Sequence, residues 1–85
     1  MENRDQLEQE RSRGNLARHA YENFIQGFVN EKRELLFKAF GDVSVDDTDA
    51  LKTIKLQLYA IDQLEVDIQT IIDTGKMAST SLDAE

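Results

Sequence analysis

A chain of 85 residues with 10 basic and 17 acidic side chains and no cysteine is one domain at most, near the smallest size at which a single apolar core suffices. Without cysteine, neither disulfides nor thiolate metal sites supplement that core. The net charge of −7 resides in the second half, where residues 42–85 carry 3 basic and 10 acidic side chains, so a phosphate backbone is repelled and direct nucleic-acid binding is excluded.

The acidic surface has two readings: it meets a basic partner, or it keeps the protein soluble. The longest apolar run is Leu58–Ile61, too short to span a bilayer. The beginning, Met-Glu-Asn-Arg-Asp-Gln-Leu-Glu, is charged and lacks the apolar stretch of a secretory signal, and no lipidation motif stands at either end. A soluble protein made in the cytoplasm, without membrane contact, is expected.

Beyond Met1, residues 1–14 contain one large apolar side chain, Leu7. A helix there would be polar on all sides, so a polar N-terminal arm is expected, frayed or ordered by a partner. Gly14-Asn15 reads as an interruption, with Asn15 able to cap the helix after it. Residues 15–78 read as a helical hairpin. Its first helix is expected over about 16–40, where Leu16, Ala17, Ala20, Tyr21, Phe24, Ile25, Phe28, Val29, Leu35, Leu36, Ala39 and Phe40 form one broad apolar stripe. Phe37 sits toward its edge. Gly27 costs about 1 kcal/mol inside a helix, and either admits a second helix closely or marks a bend. Gly41 is placed as the residue that ends the helix.

The connection Gly-Asp-Val-Ser-Val-Asp-Asp is short, which makes the helices antiparallel neighbours, with Val43 and Val45 plugging the hairpin end. The second helix is expected over about 47–74, with Ser44 or Asp46 as N-cap and Asp47 and Asp49 in the first turn. Its stripe runs Leu51, Ile54, Leu58, Ile61, Leu64, Ile68 and Ile71, at spacings 3, 4, 3, 3, 4, 3. That is a heptad pattern with one three-residue discontinuity between Ile61 and Leu64. Gly75-Lys76 reads as the stop signal, and residues 79–85 as a polar tail.

No residue set points to catalysis. His19 stands alone, which suits a surface or interface position better than a ligand. Asp42, Asp46, Asp47 and Asp49 lack the glycine and the twelfth-position glutamate of a calcium loop, and helix capping accounts for them. Ser44 has no evident base. Gly75-Lys76 ends a helix, whereas a phosphate-binding loop opens one. Asp62 and Glu65 read as carboxylates on a solvated face. The expectation is a non-enzymatic protein with no cofactor and no metal.

What points to function is unmet burial. Two helices packed only on each other leave apolar side chains uncovered, each worth roughly 1.5–3 kcal/mol if buried. Leu56, Tyr59, Val66 and Ile72, together with Phe24, Phe28 and Phe37, are the expected partner-binding residues. The architecture expected is an all-α antiparallel hairpin packed as a helical-bundle oligomer, or inserted into a larger assembly.

The order of elements, with Ala50-Leu-Lys-Thr-Ile-Lys-Leu-Gln-Leu-Tyr-Ala-Ile-Asp-Gln-Leu-Glu and the closing Ile71-Ile-Asp-Thr-Gly-Lys-Met-Ala, resembles a diffuse group of small helical proteins of tailed bacteriophages. Their genes lie among head and packaging genes, and they end in a Gly-Lys-Met/Leu-Ala tail. The resemblance covers about residues 35–78. It implies a virion-associated or assembly role, in the cytoplasm of an infected bacterial host or in the virion, with a head, portal or packaging protein as partner. It carries over no functional residues. The acid-rich second half supports a different reading: an inhibitory or regulatory protein that occupies a basic site on a host or phage protein, using Asp62, Glu65 and Asp67.

Overall fold

The computed structural model describes residues 2–84; Met1 and Glu85, the outermost residues of the expected arm and tail, lie outside them. The chain is an antiparallel helical hairpin. Its first arm is helical throughout: α1 (Glu2–Ala20), a π-helical segment (Tyr21–Ile25) and α2 (Gln26–Asp42) follow one another without a break. After a turn, α3 (Thr48–Asp83) returns for 36 residues, about 54 Å at the usual helical rise. The result is a rod of 60 × 21 × 14 Å with a radius of gyration of 18.2 Å, where a compact chain of this length would have about 12 Å.

Both helices run further than their expected limits. The segment expected as an arm, residues 2–14, is helical, and so is most of the expected tail, up to Asp83. Gly14-Asn15 interrupts nothing, and Gly75 stops nothing; no glycine adopts a positive φ. The reason is that the two ends need each other. Leu7, Gly14 and Ala17 on α1 face Gly75, Ala78 and Leu82 on α3, and Gly14, Gly75, Ala78 and Leu82 are all buried. A Cβ on Gly14 would lie 2.7 Å from the Gly75 Cα, so the backbones meet with no side chain between them. Close approach of small residues here does what bulk does elsewhere. On the outer side of α1, Arg4 pairs with Glu8 at 3.4 Å and Gln6 donates to Glu10 at 3.3 Å, i,i+4 contacts worth a few tenths of a kcal/mol each.

The seam between the helices obeys a heptad with one slip. On α3, Leu51, Leu58, Glu65, Ile72 and Ser79 recur every seventh residue, as do Ile54, Ile61, Ile68, Gly75 and Leu82; all are buried or half-buried. The expected discontinuity at Leu64 is absent, because Glu65 takes the seam position and Leu64 stands to the side. On the first arm, Leu7, Gly14 and Tyr21 keep the same repeat, and so do Val29, Leu36 and Val43, but eight residues separate Tyr21 from Val29. The π segment absorbs the extra residue. Its widened turn closes with the Gln26 N–H donating to the Tyr21 carbonyl, five residues back. Val29, 1% exposed, therefore enters the core, and Phe28, 65% exposed, turns outward.

The connection is organised by its polar side chains. Ser44 accepts from the backbone N–H of Asp46 through Oγ at 3.3 Å and from that of Asp47 through its carbonyl at 3.0 Å. Asp47, in place of Ser44 or Asp46, is the N-cap of α3: its carboxylate accepts from the Ala50 N–H at 3.2 Å. Asp49 lies in the first turn as expected. Gly41 remains inside α2, and Val43 is the C-cap two residues on. Val43 is half-buried as a plug; Val45 projects into solvent.

Candidate interaction surface

A hydrogen-bonded polar layer in the seam lies where the π segment turns. Tyr21 and Glu65 occupy facing seam positions, and the phenol donates to Glu65 Oε2 at 2.6 Å. Arg33, three turns further along, reaches back to donate to Glu65 Oε1 and to Asp62 Oδ1 at 2.9 Å. The Glu65 and Arg33 side chains are about a quarter exposed, whereas Asp62 is open to solvent. Glu65 is thus a seam residue, and the expectation of a solvated Asp62–Glu65 face holds for Asp62 alone. Hydrogen bonds from Tyr21 and then Arg33 hold the Glu65 carboxyl below its ordinary range. The bond to Glu65 in turn pushes the Tyr21 phenol up, and bonds to Glu65 and Asp62 strengthen the hold of Arg33 on its proton. A carboxylate locked in this way is a pin that fixes the register of two helices. It is a poor proton donor or acceptor at neutral pH.

The expected partner-binding residues divide. Ile72 is a correction: it is 5% exposed, in the middle of the seam, because the seven-residue spacing from Glu65 brings it inward. Phe24, Phe28, Phe37, Leu56, Tyr59 and Val66 are exposed, yet they do not share a face. Phe37 and Phe40 border a shallow groove with Ile54, Lys55 and Leu58, on the same side of the rod as the Arg33–Asp62 ion pair. Phe24 and Phe28, one turn apart, and Leu35, seven residues beyond Phe28, lie on the opposite side. Leu56 points away from the seam.

Apolar periodicity did not identify Leu64 and Leu35 as surface residues, or Gly14 and Gly75 as a contact. The seven-residue repeats through Glu65 and through Gly75 on α3, and through Gly14 and through Val29 on the first arm, are the signal that would have found them; it was hidden because Glu65, Gly75 and Gly14 are not large apolar residues.

His19 is exposed on α1, and Asn23 binds both its ring Nδ1, at 3.2 Å, and its carbonyl, at 2.7 Å. Among the described residues, no three His, Cys, Asp or Glu side chains stand together as metal ligands would, and no helix is long and apolar enough to cross a membrane. No family model matches the chain, and neither a curated protein nor a solved structure shows significant similarity to it.

Proposed function

We propose that this chain is a non-enzymatic assembly protein, acting through helix–helix contacts with itself or with a head, portal or packaging component of a tailed bacteriophage. The observation that carries the assembly part is uncovered surface. The rod exposes 6550 Å², where a compact monomer of its mass would expose about 5,100 Å². Five large apolar side chains of residues 24–40 contribute to the excess: Phe24, Phe28, Leu35, Phe37 and Phe40. Apolar surface of this extent on a small rod favours burial against another helical surface. The bacteriophage setting rests on the resemblance over about residues 35–78.

The alternative, an acidic inhibitor of a basic site, has less in its favour. The carboxylates on which it depends are engaged within the chain: Asp62 and Glu65 by Arg33, and Asp67 by Gln63 at 3.4 Å. Freeing the half-buried Glu65 from Tyr21 and Arg33 would offset part of the gain, whereas the exposed contacts of Asp62 and Asp67 cost little to break.

Mass spectrometry of purified particles and of partially assembled heads tests the proposal. The chain should co-purify with one of them through contacts that survive high salt, since apolar burial is insensitive to screening. Absence from both would overturn the bacteriophage assembly role, and a complex dissolved by moderate salt would favour the acidic alternative.

A further inference from the structure

The two broad faces of the rod differ in chemistry. On the face that holds the Arg33–Asp62 ion pair, α3 presents Lys55, Tyr59, Asp62, Val66 and Asp73 among its exposed side chains, at helical spacing. On the opposite face it presents Thr53, Gln57, Ala60, Leu64 and Ile71, at helical spacing, with Asp67 as the one charge of that stripe. Helices paired antiparallel turn like sides toward one another. The Arg33–Asp62 pair and the groove shared by Phe37, Phe40 and Lys55 assign those residues to the first face. Phe24, Phe28 and Leu35 therefore flank this stripe of α3, whose one charge is Asp67.

We infer that this second face is the interface between two copies of the chain, closing a four-helix bundle around Phe28 and Leu64. This rests on the assembly reading above and names its partner. Three observations select a second copy. The face carries Glu31, Lys32 and Asp67, with Arg13 beside Ile71, charges of both signs that balance in a chain of net charge −7, so two identical faces approach without strong repulsion. Phe24, Phe28, Leu35, Leu64 and Ile71 are large apolar side chains exposed on this face, and enrichment in such side chains is the composition of an interface centre. The face measures 60 × 21 Å, so covering two-thirds of it removes on the order of 800 Å² from each copy, the area a stable dimer needs. Ala60, small and central, lets the second pair of helices approach closely.

Sedimentation equilibrium of the full chain tests this. The expected mass is twice the 9.7 kDa of one chain. Phe28→Glu and Leu64→Glu should each weaken the dimer at least tenfold while far-UV circular dichroism shows the helices intact. Tyr59→Glu and Val66→Glu, on the charged face, should leave it unchanged. A single-chain mass at every concentration would overturn the inference, as would dissociation by the Tyr59 and Val66 variants but not by those at Phe28 and Leu64. A monomer that still co-purifies with particles would sink self-association alone and leave the assembly role standing.

Discussion

Gly14 and Gly75 meet face to face: a Cβ on either would come within 2.7 Å of the other's Cα. The next obstacles are also backbone, the Ile71 carbonyl at 3.1 Å from a Cβ on Gly14 and the Glu10 carbonyl at 3.0 Å from one on Gly75. No flexible side chain can give way, so an added methyl must push the helices apart and uncover Ala78 and Leu82. Gly→Ala in a helix ordinarily gains about 1 kcal/mol. Here overpacking, at roughly 1–3 kcal/mol, should exceed that gain, for a net loss of up to about 2 kcal/mol in Gly14→Ala or Gly75→Ala.

Gly27 supplies the control. A Cβ there has nothing within 4 Å, so Gly27→Ala should stabilise the chain by about 0.5–1 kcal/mol. Chemical denaturation of the three variants reads the contrast; equal gains in all three would refute the close contact.

The π segment makes a second prediction. One residue too many separates Tyr21 from Val29, so deleting Asn23 should convert the segment to ordinary α-helix and leave every seam residue in place. Helicity should be kept, with a melting temperature equal to or above that of the parent. Deleting Glu34, inside regular α2, should instead rotate Leu36, Ala39 and Val43 by about 100° away from α3 and cost several kcal/mol. Thermal melts of the two deletions distinguish them.

Much of this was legible in the residues. The all-α hairpin came from helical spacing and one short polar connection, and the stripe from Leu51 to Ile68 contained most of the true seam. What escaped did so for definable reasons. Phe28 outweighs Val29 in apolar size, so the slip of one residue was hidden inside an unbroken run of apolar positions. Glu65 and Gly75 hold seam positions without being apolar bulk, which made Leu64 and Ile71 look like better candidates. Residues 2–14 lacked the apolar side chains that ordinarily hold a helix, since their packing relies on a glycine contact 61 positions away in the sequence.

The Glu65 layer predicts a pH dependence with a definite sign. The carboxyl is held below its ordinary value of 4.5 by Tyr21 and Arg33, so its contribution is fully present above that value and is lost as pH falls through the lowered one. Tyr21 is raised above its ordinary 10.0; its contribution is present below pH 10 and lost as pH rises through the raised value. Glu65→Gln should flatten the acid limb of a stability profile, and Tyr21→Phe the alkaline limb. At neutral pH the loss in Tyr21→Phe should be no more than about 1 kcal/mol, because the layer is partly solvated. Unchanged limbs in both variants would mean that the layer is not formed in solution.

The start of α3 offers a local test. Asp47→Ala should cost about 1 kcal/mol through loss of the bond to the Ala50 N–H, whereas Asp46→Ala, at an exposed carboxylate, should stay within about 0.5 kcal/mol. Urea midpoints measure both. The reverse order would return the cap to Asp46, the position that the acidic run suggested.

One extra residue in the Tyr21–Ile25 turn faces Val29 inward and Phe28 outward, and so creates the surface to which the proposed assembly role is assigned. Thiol reactivity of the separate Phe28→Cys and Val29→Cys variants, measured at a dilution where the chain is monomeric, tests this most directly. A thiol at position 28 should react at the rate of an exposed cysteine, and one at position 29 should be protected by at least a hundredfold, corresponding to about 3 kcal/mol of opening free energy. Protection at 28 with free reaction at 29 is what an unbroken heptad from Leu7 through Gly14 and Tyr21 would give, and it would contradict the role assigned to the π segment.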